Sequence, residues 1–267
     1  MVKFHKNIIS YSTMFLKLVR LSENWREILI NLLLKKDIEP MVKLRNGLKF
    51  YINKNLLDVV VVIENFGGEH NHDYFKNLNL SEKPVIIDVG AHVGSFSIHA
   101  ANKYPKATIF SFEPDDLNYE KLIKNVTINN IKNVISFHKA VGNIDGMTLL
   151  YSDNAGNFGT CGSSSMIVGP KSKQVLSTKL ESIFKENQIE TCDLLKMDCE
   201  GGEYDIILNS KKEIFARINS IILEYHTVST HEISELEQSL KNYGFQVTRI
   251  SNDVGDKFGF IHANKLG

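Results

Sequence analysis

The sequence predicts an α/β fold in which a mostly parallel sheet carries helices on its faces. Short apolar strands alternate with helical segments through the middle of the chain, at residues 85–89, 95–103, 107–112, 114–130 and 134–137. After an interruption, two further apolar strands appear at residues 193–197 and 220–225, separated by a short helix. Alternation of this kind is typical of a parallel sheet covered by helices on both sides.

Composition excludes several classes of protein. The chain has 267 residues, of which 43% are hydrophobic and 23% are charged, as in an average globular protein. A chain of this length can bury a full core without disulfides or structural metals. The most apolar run, residues 28–34, is far shorter than the ~20 residues of a membrane span. Basic and acidic residues number 31 each, which argues against a nucleic-acid partner.

The three cysteines, Cys161, Cys192 and Cys199, form no CxxC pair, and their odd number does not indicate a disulfide framework. Unpaired thiols are typical of a reducing compartment. The N-terminus lacks the long apolar stretch of a signal peptide. We therefore expect a cytoplasmic protein.

The first 80 residues are expected to form a separate helical and small β extension, followed by a larger domain at 81–267. Apolar residues at helical spacing predict a helix over 14–34, whereas 47–63 reads as two strands. Residues 1–50 hold ten basic and four acidic groups, a surplus of +6. The helix can pack on the body of the protein, or it can contact a membrane surface or a second copy of the chain.

The region after residue 144 interrupts the alternation. A strand is predicted at 145–151, and a Gly/Ser-rich loop at 153–169 is predicted to form a mobile lip over the acceptor. Near the C-terminus, strands at 245–250 and 258–262 are separated by a turn without a helix, so we expect them to pair antiparallel.

A glycine turn predicts a nucleoside-containing cofactor. Asp88, Gly90 and Gly94 follow the first strand and precede its helix, and Glu113 ends the next strand. Glycine allows close backbone approach, the helix N-terminus offers free N–H groups, and a carboxylate at Glu113 can accept both ribose hydroxyls. The GxxxG spacing differs from the GxGxxG of dinucleotide folds, and Asp88 is better placed beside an ammonium than a pyrophosphate. S-adenosylmethionine carries both an ammonium and a ribose.

The motifs resemble the FkbM-type family of S-adenosylmethionine-dependent methyltransferases. The resemblance runs over about residues 58–226, and its most specific part is LKMDCEGGE at 195–203. The other matching segments are IDVGAHVG at 87–94, FEP at 112–114, Asn125, Asn129, 163–166, 177–181 and ILEYH at 222–226. Two departures stand out: His92 replaces the usual Asn, and Lys179-Leu180-Glu181 replaces Thr-Leu-Asp.

The resemblance implies a seven-stranded Rossmann-like (class I) methyltransferase sheet, mostly parallel with an antiparallel C-terminal strand. It also implies O-methylation of a sugar, glycan or small natural product. The cofactor-binding residues that we expect are Asp88, Gly90, Ala91, His92, Val93, Gly94, Phe96, Glu113, Pro114, Asn143 and Asp198.

The catalytic residues are expected where two strands end. Asp198 and Glu200 follow one strand, and Glu224 and His226 end the next, so all four are candidates to line one crevice. His226 is the predicted general base, because its ordinary pKa is close to working pH, and Glu200 is the second candidate.

No metal is expected, because the spacing matches no ligand signature, although three carboxylates with a histidine leave a divalent site open. His70, His72 and Asp73 are likewise interpreted as a polar loop. The alternative functions are an NAD-dependent oxidoreductase of Rossmann type and a cofactor-binding module without catalysis.

Overall fold

The computed structural model describes residues 13–34, 39–53, 55–67, 75, 78–151, 171–251 and 258–265. The N-terminal part contains a helix at 13–21 and then α1 (Trp25–Leu34), β1 (Met41–Lys43), β2 (Lys49–Tyr51) and α2 (Leu56–Phe66). The sheet begins with β3 (Val85–Val89), α3 (Ser95–Lys103), β4 (Thr108–Phe112), α4 (Asp116–Ile128) and β5 (Val134–Phe137).

A second group of strands follows: β6 (Ala140–Gly142), β7 (Gly146–Tyr151) and β8 (Ser172–Lys179). The remaining elements are α5 (Leu180–Glu186), β9 (Cys192–Met197), α6 (Gly202–Asn209), α7 (Lys212–Phe215), β10 (Ile218–His226), α8 (Ile233–Asn242), β11 (Phe245–Ser251) and β12 (Phe258–Lys265).

The main sheet has seven strands in the order β11-β12-β10-β9-β3-β4-β5. Strands β10, β9, β3, β4 and β5 are parallel, and β12 pairs antiparallel with both β10 and β11. The predicted fold class is therefore confirmed, including its antiparallel strand near the C-terminus.

Both faces of this sheet are buried. Ile87 and Leu195 belong to one apolar cluster, while their neighbours Ile86 and Leu194 belong to another. Successive side chains of a strand point to opposite faces, so these strands are mainly apolar along their length, apart from buried polar residues such as Asp88 and Lys196. Among the residues that the structure describes, no helix has the length and apolar character needed to cross a bilayer.

The apolar run at 59–63 was predicted as a strand, and this is wrong: it lies in helix α2. The Asn55 side chain caps this helix by accepting a hydrogen bond from the Asp58 N–H (2.8 Å). Val59, Val62 and Ile63 recur at helical spacing and are fully or almost fully buried. Packing of this face outweighs the usual preference of β-branched residues for strands.

The predicted helix at 14–34 is interrupted at residues 22–24. Ser22 forms a bridge with Leu44, and the Asn24 side chain accepts from the Lys43 N–H and donates to the Met41 carbonyl. These hydrogen bonds attach the interrupted segment to β1. The Asn24 side chain pairs with backbone groups of β1 that another strand would otherwise pair with.

The N-terminal elements pack directly on the main domain. Leu18, Ile28, Phe50 and Ile63 share one apolar cluster with Val93, from the glycine turn. The side chain of Asn125 on α4 bonds both the N–H and the carbonyl of Tyr51 (2.6 and 2.9 Å). The boundary predicted at residue 80 remains a prediction, and the two parts share this interface.

A three-stranded sheet, in the order β6-β8-β7, was not predicted as a unit. The sequence indicated β7, but no strand was predicted for β8. Residues 153–169, the predicted acceptor lip, lie outside the described residues, as do His70, His72 and Asp73.

Candidate active site

The predicted site residues, apart from Asn143, lie at or near the carboxyl ends of four adjacent strands, β10, β9, β3 and β4. The chain proceeds from β3 to β4 and β5 on one side, and later adds β9 and β10 on the other. The order of the strands therefore reverses between β3 and β9. Ligands of open α/β sheets bind in the crevice at such a point.

The glycine turn after β3 touches the loop after β9. Gly90 has φ +75°, and a Cβ there would lie 1.8 Å from the carbonyl oxygen of Asp198. At Gly94, with φ +83°, a Cβ would lie 2.5 Å from Leu122 Cδ1. Both positions require glycine for conformation and for space. Both glycines are therefore required by packing within the protein, and the approach of the turn to a ligand remains a prediction.

Asp88 has an internal role in this structure. Its side chain is fully buried, with Oδ1 3.1 Å from Lys196 Nζ and Oδ2 accepting from the Ser97 hydroxyl at 2.5 Å. Lys196 also donates to the Gly90 carbonyl at 2.9 Å. The carboxylate therefore faces a protein ammonium where we had expected that of a ligand, and it supports the glycine turn through Lys196.

Glu113 closes the β4 side of the crevice. One carboxylate oxygen accepts from the His92 N–H (2.7 Å) and the other from the Asp115 N–H (2.9 Å). Each oxygen keeps a lone pair for a further donor. Burial raises the pKa of Glu113 to about 7, against the lowering effect of these N–H groups.

The other predicted cofactor-binding residues divide into core and crevice positions. Val93 and Phe96 are buried in apolar clusters, so their side chains contribute packing. His92 has φ 53°, and its Nε2 lies 3.5 Å from Asp58 Oδ1 of helix α2, a contact that the sequence did not indicate. The remaining positions differ in exposure: Ala91 is buried, Pro114 is half-buried and Asn143 is exposed after β6.

The four predicted catalytic side chains form one cluster beyond β9 and β10, which we call the acidic-histidine cluster (Asp198, Glu200, Glu224, His226). His226 Nε2 lies 3.3 Å from Glu200 Oε2 and 3.9 Å from Glu224 Oε1. One ligand atom each of Asp198, Glu200 and His226 lie within 4.8 Å of one another. All four side chains are partly accessible.

Glu203, the second residue of α6, contacts this cluster from the buried side. It is fully buried and accepts hydrogen bonds from the Cys199 N–H (2.8 Å) and the Gly201 N–H (2.7 Å). Its Oε1 also lies 3.5 Å from His226 Nδ1. Burial alone would raise the pKa of Glu203, but His226 and the backbone N–H of Cys199 lower it. The sequence did not indicate this contact of Glu203 with His226.

Charge in the cluster changes the predicted behaviour of His226. Burial by itself would lower the pKa of His226, but the carboxylates of Glu203, Glu200 and Asp198 raise it to about 10. Burial and the charge of Asp198 raise the pKa of Glu224. At neutral pH the imidazole therefore holds a proton. Its role as a general base remains a prediction and requires that proton to leave first.

Comparison with known proteins gives a family. The model described as the methyltransferase FkbM domain matches residues 88–247. Methyltransferase sdnD of Sordaria araneosa is 25% identical over 217 residues, which cover 70% of this chain and 83% of that protein. The 2-O-methyltransferase NoeI of Sinorhizobium fredii (strain NBRC 101917 / NGR234) is 29% identical over 171 residues, with 58% and 69% covered.

Among solved structures, the methyltransferase FkbM from Methylobacillus flagellatus KT superposes with a TM-score of 0.50 at 14% identity. The alignment covers 77% of this chain and 53% of that one, and it supports the fold. The sequence resemblance is thereby confirmed, since the family model spans more than half of the chain. The chain belongs to the FkbM family of methyltransferases.

Proposed function

We propose that this methyltransferase transfers a methyl group from S-adenosylmethionine to a hydroxyl oxygen of a sugar, glycan or small natural product. The observation that carries the proposal is the placement of two sites on one crevice. Glu113 lies on the β4 side of the glycine turn, and the acidic-histidine cluster lies on the β9 and β10 side. Family membership implies the cofactor, and a relative named as a 2-O-methyltransferase supports an oxygen acceptor.

The cofactor binds on the side of the crevice formed by the ends of β3 and β4. The Glu113 carboxylate accepts hydrogen bonds from the two ribose hydroxyls. The turn at Gly90 lets the protein backbone approach the ligand closely. Lys196, held by Asp88, bonds the Gly90 carbonyl and keeps this turn in place. When bound, S-adenosylmethionine supplies an electrophilic methyl group on sulfonium sulfur.

The acceptor hydroxyl lies between that methyl group and the acidic-histidine cluster. Its oxygen forms the new bond to carbon, the bond between carbon and sulfur breaks, and the electron pair stays on a neutral thioether sulfur. The hydroxyl proton passes to Glu200, or to His226 once that imidazole has lost its own proton. Holding the oxygen in line with the sulfur–carbon bond supplies much of the rate.

The test uses S-adenosylmethionine with a labelled methyl group and extracts rich in sugars, glycans and small hydroxylated metabolites. We expect a labelled product whose mass rises by one methylene, and a matching amount of S-adenosylhomocysteine. Binding of NAD in place of S-adenosylmethionine, measured by calorimetry, would indicate the oxidoreductase alternative. Cofactor binding without a methylated product from any extract would indicate the non-catalytic alternative.

We also propose a domain division, a cellular location and a contact surface for this chain. The first is the division into an extension (1–80) and a methyltransferase domain (81–267). The second is a cytoplasmic location, supported by the free thiols of Cys192 and Cys199. The third is a contact of residues 14–34 with a membrane surface or a second copy. It is supported by exposed apolar side chains on a segment whose other face is buried: Phe15, Leu16, Ile30, Leu33 and Leu34.

A further inference from the structure

Three side chains of the acidic-histidine cluster have the spacing of a metal-binding set. One ligand atom each from Asp198, Glu200 and His226 lie within 4.8 Å of one another. Ligands at ~2.1 Å from one ion are ~3 Å apart in neighbouring positions and ~4.2 Å apart in opposite positions. The distance between His226 Nε2 and Glu200 Oε2, 3.3 Å, already matches neighbouring ligands. Small rotations of the partly exposed Asp198 and Glu200 side chains would place all three ligand atoms around one ion.

A separate feature, outside the crevice, points to the same use of His226. The buried carboxylate of Glu203 lies on the Nδ1 side of the ring at 3.5 Å, while Nε2 faces the crevice carboxylates. Metal-binding histidines almost always have their second ring nitrogen held by a carboxylate or carbonyl, which orients the ring and fixes its tautomer. Glu203 is itself fixed by two backbone N–H groups, so this orientation is built into the start of α6.

The charge balance favours a cation. Asp198, Glu200 and Glu224 bring three carboxylates to the crevice beside the buried Glu203. Lys196 Nζ lies 3.9 Å from Asp198 Oδ2 but only 3.1 Å from Asp88 Oδ1. Its charge is therefore directed mainly to the buried carboxylate of Asp88. The carboxylates of Asp198, Glu200 and Glu203 then outnumber the single positive charge of the His226 imidazolium.

We infer that Asp198, Glu200 and His226 bind a divalent cation of the Mg²⁺ or Mn²⁺ class at the acceptor end of the crevice. Binding displaces the proton of His226 Nε2 to solvent, since a ligating imidazole must be neutral. Two carboxylates and one imidazole leave several coordination positions open, and carboxylate-rich sets suit these ions. This inference rests on the proposed function for its purpose: an open position would hold the acceptor hydroxyl, make its proton easier to remove and orient its oxygen. It departs from the sequence-based expectation of no metal.

The test measures Mn²⁺ binding by the full-length protein, without cofactor or acceptor, by the loss of the free-ion electron paramagnetic resonance signal. We expect one saturable site. The variants Asp198→Asn, Glu200→Gln and His226→Ala should each weaken Mn²⁺ binding at least tenfold. His138→Ala is a matched control, because His138 also contacts a carboxylate, Asp116, but on the surface. It should leave Mn²⁺ affinity unchanged.

Each outcome decides for or against the site. Since Glu200 is the most exposed of the three, Glu200→Gln keeps the test valid if another variant fails to fold. The inference is overturned if the wild type shows no saturable site up to millimolar Mn²⁺, or if folded Glu200→Gln binds as well as the wild type. Methyl transfer that persists in chelator, with no Mn²⁺ site, would overturn the metal site and leave the proposed function intact. Tight Mn²⁺ binding without methyl transfer would support the metal site and overturn the proposed function.

Discussion

Removal of the Glu113 carboxylate is expected to weaken cofactor binding about ten- to a hundredfold while the fold is retained. The carboxylate is held by the His92 and Asp115 N–H groups, and each oxygen keeps a lone pair for a ribose hydroxyl. A hydrogen bond to a charged group contributes about 1.5–3 kcal/mol, and each 1.4 kcal/mol is a factor of about ten in affinity. Glu113→Ala therefore loses at least one such bond.

The same carboxylate predicts how binding depends on pH. Its pKa is raised to about 7, mainly by burial and in part by Asp115, while Lys196 and the two N–H groups act against the rise. Two donating hydroxyls prefer the ionised form, so binding is at full strength above pH 7 and weakens as the carboxyl protonates below it. Between pH 8 and pH 6 the Kd should rise about tenfold in the wild type.

The assay is calorimetric titration with S-adenosylhomocysteine at several pH values, on the wild type and on Glu113→Ala. The variant should bind weakly throughout and lose most of the change between pH 8 and pH 6. Glu186→Ala, a change of an exposed carboxylate at the end of α5, is the control and should match the wild type. Thermal melting checks the fold, since the variant leaves two N–H groups without their acceptor. Equal affinities for folded Glu113→Ala and wild type would refute the placement of the ribose.

Three further predictions concern the support of the site. Gly90→Ala should abolish cofactor binding, because its Cβ would lie 1.8 Å from the Asp198 carbonyl, and unchanged calorimetric affinity would contradict this. Asp88→Asn should lower the free energy of unfolding in urea by about 3–5 kcal/mol, since it leaves the Lys196 ammonium buried without its counter-charge; a loss under about 1 kcal/mol would show that the pair is not needed. Asn125→Ala should cost about 2–3 kcal/mol in the same assay, by removing bonds to the N-terminal hairpin, and wild-type stability would show that this junction contributes little.

The sheet could be predicted because its strands are buried on both faces. Strands such as β3 and β9 then appear as mainly apolar runs, broken only by buried polar residues such as Asp88 and Lys196, and the polar residues of the site follow them. The apolar run at Val59 shows the limit of this reasoning. A short buried helix and a buried strand can have the same composition, and here the cap at Asn55 and the packing of one helical face favour the helix.

The individual contacts within the site could not be predicted, because they join residues that lie far apart in the sequence. The sequence placed Asp88 beside the glycines, but its partner Lys196 comes from β9, more than a hundred residues later. Residues at the ends of β9 and β10 were expected in one crevice, because parallel strands align their carboxyl ends, and the structure brings them together. The position of Glu203 behind His226 depends on the turn into α6, which the motif alone does not show.

A structure of the protein with S-adenosylhomocysteine tests the central claim most directly. We expect both ribose hydroxyls within about 3 Å of the Glu113 carboxylate, and the ligand along the backbone of the turn at Gly90. The sulfur should face the crevice of Asp198, Glu200 and His226, where the acceptor would lie. A nucleoside bound away from Glu113, or a sulfur directed away from those three side chains, would contradict the account.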